Sequence, residues 1–210
     1  MKRVCLIIAS LTLANAAFAA SGIWGSFIQL TTNAATPQWY DVQYSSALPN
    51  FTNGVNLGTY NPALGNTLVI SGGEVDIFKN GTDNVTGANL NWRLIIGTTT
   101  GAFTKVTLGF TLNEPFNNAA GDAAAVGGSF DQKWAQIATT TNLLVGLLPG
   151  TYKLDIYFDS PFVFTGGSGT NYSNNGGANY QASFVVVPEP STFLLVSLAL
   201  VPFYLRCRRK

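Results

Sequence analysis

Two acidic side chains, Glu74 and Asp76, are the clearest candidates for acid–base chemistry in this sequence. A strand would place them on one face, roughly 6.6 Å apart along the chain, and paired carboxylates at such separations hydrolyse glycosides. The neighbouring Val75 and Ile77 would then face the core, which predicts that both acids face water. A carboxylate-only glycoside hydrolase is therefore kept as the third of three functional hypotheses.

Other familiar catalytic sites are excluded by composition. The chain has no histidine, and its two cysteines, Cys5 and Cys207, lie in the terminal segments. Without imidazole or a central thiol, the chain cannot form Ser-His-Asp or Cys-His nucleophiles or an imidazole-bound zinc site. It also lacks the phosphate-binding glycine motif followed by lysine. We predict that the protein is not an enzyme and has no cofactor.

Calcium is the metal that remains open as an alternative. Asp83 and Asn84, with the loop carbonyls near Asn80 and Gly81, offer the hard oxygen ligands that calcium prefers. No EF-hand spacing or repeat supports a site, and Asx residues beside glycine also form ordinary turns. Asp83 and Asn84 are therefore the calcium candidates of a chain that is otherwise expected to bind no metal.

Exposed aromatic rings would suit a carbohydrate-binding protein. The chain has four tryptophans and eight tyrosines, and rings in a row on a surface can stack on pyranose sugars. Trp92 lies in a run of alternating apolar residues and is expected in the core. Trp39, Tyr40 and Tyr172 are expected to be exposed, and we predict them as the glycan-binding residues.

The central part of the chain carries little charge. Residues 20–187 contain five basic and nine acidic side chains, a net charge of −4, because most of the lysines and arginines lie in the terminal segments. A protein that binds nucleic acid needs a basic stripe to neutralise phosphates. We therefore predict no nucleic-acid partner.

Residues 1–19 have the pattern of a secretory signal. A basic start is followed by an apolar run of about ten residues, which is too short to span a membrane as a helix. Ala17 and Ala19 are the small residues that signal peptidase requires. We predict that signal peptidase is a partner and that it cleaves between Ala19 and Ala20.

Residues 187–210 combine three features in order. Val187 precedes Pro188, Glu189 and Pro190, and prolines on both sides of a glutamate favour a stiff, exposed segment that a processing enzyme can read. Residues 193–205 are mostly apolar and would reach about 20 Å as a helix, a marginal length for a permanent anchor. The basic residues that follow favour the cytoplasm and place the rest of the chain outside. They are Arg206, Arg208, Arg209 and Lys210.

This arrangement resembles the PEP-CTERM sorting signal of exosortase substrates, over residues 188–210. The resemblance implies an exosortase, a membrane-embedded enzyme similar to cysteine proteases, that processes the chain near its Pro-Glu-Pro motif. It also implies transient anchoring in the inner membrane of a Gram-negative bacterium that makes exopolysaccharide, through a short C-terminal transmembrane helix. The final location would be the cell surface or the extracellular matrix. A plain tail anchor is the alternative.

Residues 20–187 are predicted to form one all-β ectodomain, an antiparallel Greek-key β-sandwich. Alternation with period two marks half-buried strands, and it is clearest in residues 90–96, 106–112, 152–158 and 180–186. Residues 147–152 resemble the tyrosine corner of Greek-key sandwiches, in which the Tyr152 hydroxyl would bond to backbone a few residues upstream. The domain also resembles secreted bacterial β-sandwich modules of unknown function, at residues 83–86, 90–93, 149–152 and 175–180.

Some local expectations complete the domain. Gly72 and Gly73 are expected to form a turn between two short strands, and residues 132–138 to form a turn or two of helix. Residues 113–129 and 164–179 are rich in Gly, Asn and Ala, and are expected to be long loops.

The leading functional hypothesis is a non-enzymatic surface or extracellular-matrix protein that is exported, sorted through its tail and linked to exopolysaccharide or biofilm. The second is a carbohydrate-binding module for extracellular polysaccharide.

Overall fold

The computed structural model describes residues 21–43, 46–51, 54–79, 83–124 and 130–189. Its regular structure is twelve strands and two 3-10 turns, Pro62–Leu64 and Asn175–Gly177. The first six strands are β1 (Ser21–Thr32), β2 (Gln38–Asp41), β3 (Val55–Tyr60), β4 (Leu68–Lys79), β5 (Asn84–Val85) and β6 (Ala88–Ile96). The others are β7 (Thr99–Thr100), β8 (Thr104–Asn113), β9 (Gln132–Asn142), β10 (Gly150–Phe164), β11 (Gly167–Ser173) and β12 (Tyr180–Val186). The predicted all-β class is confirmed.

The strands form one curled sheet in the order β2-β1-β4-β9-β8-β6-β10-β12-β3, with β5 and β11 attached to β10, and β7 to β6. The pairs are antiparallel except that β3 runs parallel to β12. Strand β8 joins the two halves, because residues 104–108 pair with β6 whereas residues 109–113 pair with β9. A strand that changes partners in this way lets one sheet fold over into two facing layers.

One apolar core lies between the two halves of the sheet. Ile28 of β1 and Ile77 of β4 belong to the same buried cluster as Ile156 and Phe158 of β10 and Phe184 of β12. The predicted inward positions of β10 and β12 are all buried: Tyr152, Leu154, Ile156, Phe158, Tyr180, Ala182, Phe184 and Val186. The fold is therefore sandwich-like.

The hydrogen bond predicted for the tyrosine corner is present. The Tyr152 hydroxyl donates to the Leu148 carbonyl oxygen at 2.8 Å, and the Tyr152 ring stacks on Phe184 with centroids 5.5 Å apart. This contact fixes the entry of the chain into β10. The Greek-key arrangement of the strands stays a prediction.

The expected turn at Gly72 and Gly73 is wrong, because β4 runs straight through both glycines. The pairing of β4 with β9 shifts between Ile70 and Gly72, which is typical of a bulge. A Cβ on Gly72 would lie 3.0 Å from the Gln136 carbonyl oxygen, and one on Gly73 would lie 3.3 Å from Leu108. The glycines therefore permit close packing within a strand and do not end it.

Three other local expectations are also wrong. Residues 132–138 lie in β9 and not in a helix, and β11 lies within the predicted loop 164–179. On β8 only Leu108 is buried, whereas Phe110 and Leu112 are exposed. Strand β8 leaves β6 for β9 between Leu108 and Gly109. Beyond this change of partner its apolar side chains lie outside the core, and the Phe110 ring contacts that of Trp134, with centroids 5.4 Å apart.

In the part of the chain that the structure describes, no helix has the length and apolar character needed to cross a membrane. The predicted signal peptide and the predicted helix of residues 193–205 lie outside the described residues, as do Ala17, Ala19, Ala20 and Pro190 and the basic residues Arg206, Arg208, Arg209 and Lys210.

Candidate functional site

The outer surface of β6, β10 and β11 brings together aromatic and polar side chains. Because β10 buries every second residue, Tyr157 and Asp159 point away from the core. The register places Tyr157 opposite Asn91 of β6, and Asp159 opposite Tyr172 of β11. We name this surface the tyrosine face, and its residues are Asn89, Asn91, Arg93, Phe103, Tyr157, Asp159 and Tyr172.

Three aromatic rings are neighbours on the tyrosine face. Tyr157 is central, with its ring centroid 4.9 Å from that of Phe103 in an edge-to-face contact and 6.5 Å from that of Tyr172. The Arg93 guanidinium carbon lies 4.2 Å from the Phe103 centroid. Tyr172 is 57% exposed and Phe103 is 37% exposed. The face thus presents apolar ring surface to solvent beside fixed polar groups.

Asp159 is held in place by two buried amides. Asn89 Nδ2 donates to Asp159 Oδ1 at 2.7 Å, and Asn91 Nδ2 donates to Asp159 Oδ2 at 2.5 Å. Both asparagines are 5% exposed, so the carboxylate has a defined direction beside Tyr157 and Tyr172. A fixed acceptor next to exposed rings is suited to orient a polar ligand.

A second polar network is centred on Asp155, which is fully buried. Arg93 Nε donates to Asp155 Oδ2 at 2.7 Å and forms an ion pair with it. Asn179 Nδ2 and Gln181 Nε2 also donate to the Asp155 carboxylate, each at 3.3 Å. These bonds connect the tyrosine face to the surface of β12.

A shallow groove continues the face along β10 and β12. It has a volume of about 330 Å³ and is lined in part by Lys153, Asn175, Asn179, Gln181 and Ser183. Asp159 and Lys153 are six residues apart on β10, which is about 20 Å at roughly 3.3 Å per residue. The rings and the groove therefore form one elongated surface that a chain-like ligand could follow.

The side chains of this surface have the chemistry that suits binding of a polar ligand. Ring faces pack on apolar surface while amide and carboxylate groups hydrogen-bond to hydroxyls. Burial, and then the charge of Asp159, raises the pKa of the Tyr157 hydroxyl, so Tyr157 remains protonated near neutral pH. The chemistry fits a neutral, polyhydroxylated ligand.

The predicted aromatic residues do not form one site. Tyr172 lies on the tyrosine face, whereas Trp39 and Tyr40 lie on β2, which pairs with β1. Tyr40 packs against the core and makes an edge contact with Phe51, with the two centroids 6.3 Å apart. Trp39 is half-buried. Tyr172 is therefore the predicted residue with the best access for a ligand.

The two calcium candidates, Asp83 and Asn84, differ in their exposure to solvent. Asp83 is 6% exposed and its Oδ2 atom has no hydrogen-bond partner, whereas Asn84 is exposed on β5, opposite Val163 of β10. Asn80 and Gly81 lie outside the described residues. Within the described ranges, no three His, Cys, Asp or Glu side chains are grouped so that they could hold a metal ion. Calcium binding at Asp83 and Asn84 stays a prediction.

The predicted exposure of Glu74 and Asp76 is wrong. Glu74 is 3% exposed and Asp76 is fully buried, because residues 113–124 cover the outer side of β4. The Ala119 N–H donates to Glu74 Oε1 at 2.6 Å, and Lys133 Nζ lies 2.9 Å from Glu74 Oε2. The Phe116 ring, which belongs to this covering segment, stacks on Trp24 of β1, with centroids 6.1 Å apart.

Burial changes the charge state of this acidic pair. Burial, and then the charge of Glu74, raises the pKa of Asp76 from 3.8 to about 8, and neither Asp76 oxygen has a hydrogen-bond partner. Burial also raises the pKa of Glu74, although Lys133 opposes the shift. A covered and ion-paired carboxyl group does not favour hydrolysis of a polymeric substrate.

The start of the predicted processing motif is bound to the domain. The Val187 N–H donates to the Tyr60 carbonyl oxygen at 2.9 Å, and Asn61 Nδ2 donates to the Pro188 carbonyl oxygen at 3.3 Å. Glu189 is exposed. The motif thus follows β12 without a linker.

Sequence reasoning did not identify Tyr157, Phe103 or Arg93 as site residues. The signal for Tyr157 was present, since it shares the outward positions of a recognised strand with Asp155 and Asp159. Arg93 comes close to Tyr157 through the pairing of β6 with β10, and Phe103, which directly precedes β8, does so because β8 in turn pairs with β6. No local pattern specifies these pairings.

Comparison with known proteins identifies the C-terminal segment. A family model described as the PEP-CTERM protein-sorting motif matches residues 186–210, which confirms the resemblance seen in residues 188–210. No curated protein matches the chain. The resemblance of the ectodomain to secreted β-sandwich modules stays a prediction.

Proposed function

We propose, since the chain carries a PEP-CTERM protein-sorting motif, that it is a non-enzymatic surface or extracellular-matrix protein of a Gram-negative bacterium. The motif implies an exported, membrane-associated protein that is processed by an exosortase. In our proposal, signal peptidase first removes residues 1–19. The tail holds the domain at the inner membrane until it is processed near Pro188, and the domain then joins the exopolysaccharide matrix.

The single observation that carries this proposal is the match of residues 186–210 to the sorting motif. The geometry agrees with it, because Glu189 is exposed directly after the last strand. The absence of histidine from the chain and the ion pair that engages Glu74 support a non-enzymatic role.

The test is intact-mass analysis of the native protein from surface and inner-membrane fractions. We expect the surface form to begin at Ala20 and to lack the segment after Pro190. A triple variant, Pro188→Ala, Glu189→Gln and Pro190→Ala, should retain Lys210 and accumulate in the inner membrane. Pro49→Ala, which changes an exposed proline in the loop after β2, is the control and should be processed normally. A surface form of the native protein that still contains Lys210 would contradict the proposal.

A carbohydrate-binding module is the second candidate, and the tyrosine face favours it. Tyr172 is 57% exposed and lies beside Tyr157 and opposite Asp159. We infer that extracellular polysaccharide binds along β10, with sugar rings against Tyr172 and Phe103. Asp159 and the groove amides would accept and donate hydrogen bonds to its hydroxyl groups.

Calorimetric titration with exopolysaccharide from the producing bacterium tests this candidate. We expect Tyr172→Ala to weaken binding about tenfold, which is about 1.4 kcal/mol, because the variant removes an exposed ring without opening the core. Phe164→Ala is the matched control, since it removes another exposed ring outside the tyrosine face, and Trp39→Ala tests the other predicted ring. Unchanged binding in Tyr172→Ala, or loss only in Trp39→Ala, would exclude the tyrosine face as the site.

A further inference from the structure

The end of the domain from which the tail leaves has an unusual surface. Loops 61–67 and 142–149 meet there, since Asn61, Leu147 and Pro149 line one groove together with Val187 and Pro188. Loop 33–37 lies beside them, because the Asn33 N–H donates to the Thr67 carbonyl oxygen at 3.0 Å. We name these three loops, with residues 187–189, the tail-exit end.

The loops of the tail-exit end expose large apolar side chains. Leu64 is 67% exposed, Val145 is 76% exposed and Leu148 is 75% exposed. Each of them lies in a connection between strands, where a soluble domain normally places polar residues. The backbone around Leu148 is nevertheless fixed, because its carbonyl oxygen accepts the Tyr152 hydroxyl.

The same loops carry no charge. Residues 33–37, 61–67 and 142–149 contain no Asp, Glu, Lys or Arg, and Glu189 is the charged residue of this end. The loops and strand ends at the opposite end of the sheet carry accessible charged residues, at Lys79, Glu114 and Asp122. The domain therefore has one apolar, neutral end and one charged end.

The tail leaves from the neutral end and is short. Pro188 is held by Asn61, and residues 189–192 separate it from the apolar run that begins at Phe193. Five residue steps reach at most roughly 17 Å when fully extended. A headgroup layer is about 5–8 Å thick on each side of the hydrocarbon, so the tail-exit end cannot lie more than about 10 Å from the lipid headgroups.

The short apolar run draws the domain closer still. Residues 193–205 would reach about 20 Å as a helix, against about 30 Å of hydrocarbon. A span that is too short thins the bilayer or pulls its flanking residues into the interface. The flanking residues on the outer side lead directly into the tail-exit end.

We propose that the tail-exit end is a membrane-docking surface, with Leu64, Val145 and Leu148 inserted among the lipid headgroups while the tail is in the bilayer. Exposed apolar tips without charge enter this interface readily, and their burial there strengthens binding. The docked domain holds Glu189 at the membrane surface, where a membrane-embedded processing enzyme works. This inference rests on the proposed membrane insertion of the tail.

The test uses the exported chain with its tail, purified from membranes and reconstituted into phosphatidylethanolamine–phosphatidylglycerol vesicles. Cys207→Ser removes the one native thiol that is left after cleavage of the signal peptide, and an environment-sensitive fluorophore is attached at Val145→Cys or Leu148→Cys. Phe164→Cys is the control, because it is an exposed apolar residue at the far end of β10, fourteen residues from Gly150 and up to about 45 Å away. Vesicle flotation reports tail insertion, and brominated lipids report the contact of each probe with lipid.

We expect all three labelled chains to float, and the probes at residues 145 and 148 to be quenched by brominated lipid at least about threefold more than the probe at residue 164. Flotation with equal, weak quenching at the three positions would overturn docking while leaving the sorting proposal intact. A probe at residue 148 that is shielded from water but not quenched would indicate a protein partner, such as a second copy of the chain, and would also overturn it. Failure to float would refute membrane insertion of the tail itself.

Discussion

Asp76 shows how far tertiary packing can change the environment and the protonation of a single side chain. Its position between Val75 and Ile77 predicts a water-facing carboxylate, yet the side chain is fully buried and its oxygens have no hydrogen-bond partner. Gly25 of β1 makes room for it, since a Cβ there would lie 2.6 Å from Asp76 Oδ2. A group in this environment is best accommodated as a neutral acid.

The raised pKa of Asp76 predicts a pH-dependent free energy of unfolding. Because the pKa in the folded chain, about 8, exceeds the usual 3.8, folding favours the protonated form. The contribution of Asp76 to stability is fully present below about pH 4 and is lost as the pH rises toward about 8. Asp76→Asn keeps the shape but cannot ionise, so it should flatten this dependence.

Urea unfolding of the purified variants between pH 4 and pH 8 measures the effect. At pH 7 we expect Asp76→Asn to be more stable than the parent chain by about 2 kcal/mol, since each pKa unit is worth about 1.4 kcal/mol and an unsatisfied buried amide costs roughly 1–3 kcal/mol. Asp122→Asn, at an exposed acid, should retain the parent pH dependence. An equally steep profile in Asp76→Asn would show that Asp76 is ionised in the folded chain.

Strand β10 is the element on which the candidate site depends. It pairs with β5, β6, β11 and β12, and it carries both the inward core residues and the outward tyrosine face. The tyrosine corner fixes the start of this strand, and its hydrogen bond is the contact that ties loop 142–149 to β10 most directly.

Tyr152→Phe should destabilise the domain by about 1 kcal/mol, the usual net value of one hydrogen bond, or by up to about 3 kcal/mol if the Leu148 carbonyl is left buried without a partner. The ring and its stacking on Phe184 are retained in this variant. Urea unfolding at constant pH measures the change, and Tyr172→Phe, which removes an exposed hydroxyl, should leave the midpoint unchanged. Equal midpoints for Tyr152→Phe and the parent would show that the tyrosine-corner hydrogen bond does not stabilise the domain.

At the scale of the whole molecule, the domain and its sorting motif meet within a few residues. Val186 is 3% exposed and pairs with both Gly150 and Tyr60, whereas Glu189 is exposed. The folded unit therefore extends to the beginning of the Pro-Glu-Pro motif. Its apolar end faces the tail and its charged end lies away from it.

Two truncations test where the folded unit ends. A chain that stops after Glu189 should unfold at the same urea midpoint as the full chain in mild detergent, because the contacts of Val187 and Pro188 are kept. A chain that stops after Val185 loses the buried Val186 and the bond from Val187 to Tyr60. We expect the shorter chain to lose about 2–4 kcal/mol, from one buried valine and one hydrogen bond. Equal midpoints for both truncations would place the boundary before Val186.

Sequence patterns alone determined the features that depend only on residues close together in the chain. Alternation with period two identified the buried positions of β10 and β12, because the side of a strand that a residue faces depends only on its place in that strand. The tyrosine corner and the sorting motif were also recognised from short contiguous stretches, at residues 147–152 and 188–210.

Only the tertiary structure decided what lies against the outer side of each strand. Glu74 and Asp76 are buried because residues 113–124 fold over β4, and Phe103, which directly precedes β8, meets Tyr157 because β6 pairs with both β8 and β10. The neutral tail-exit end exists because three loops that are distant in the sequence meet beside Pro188. Strand pairing and loop packing are long-range contacts, and one local pattern is compatible with many of them.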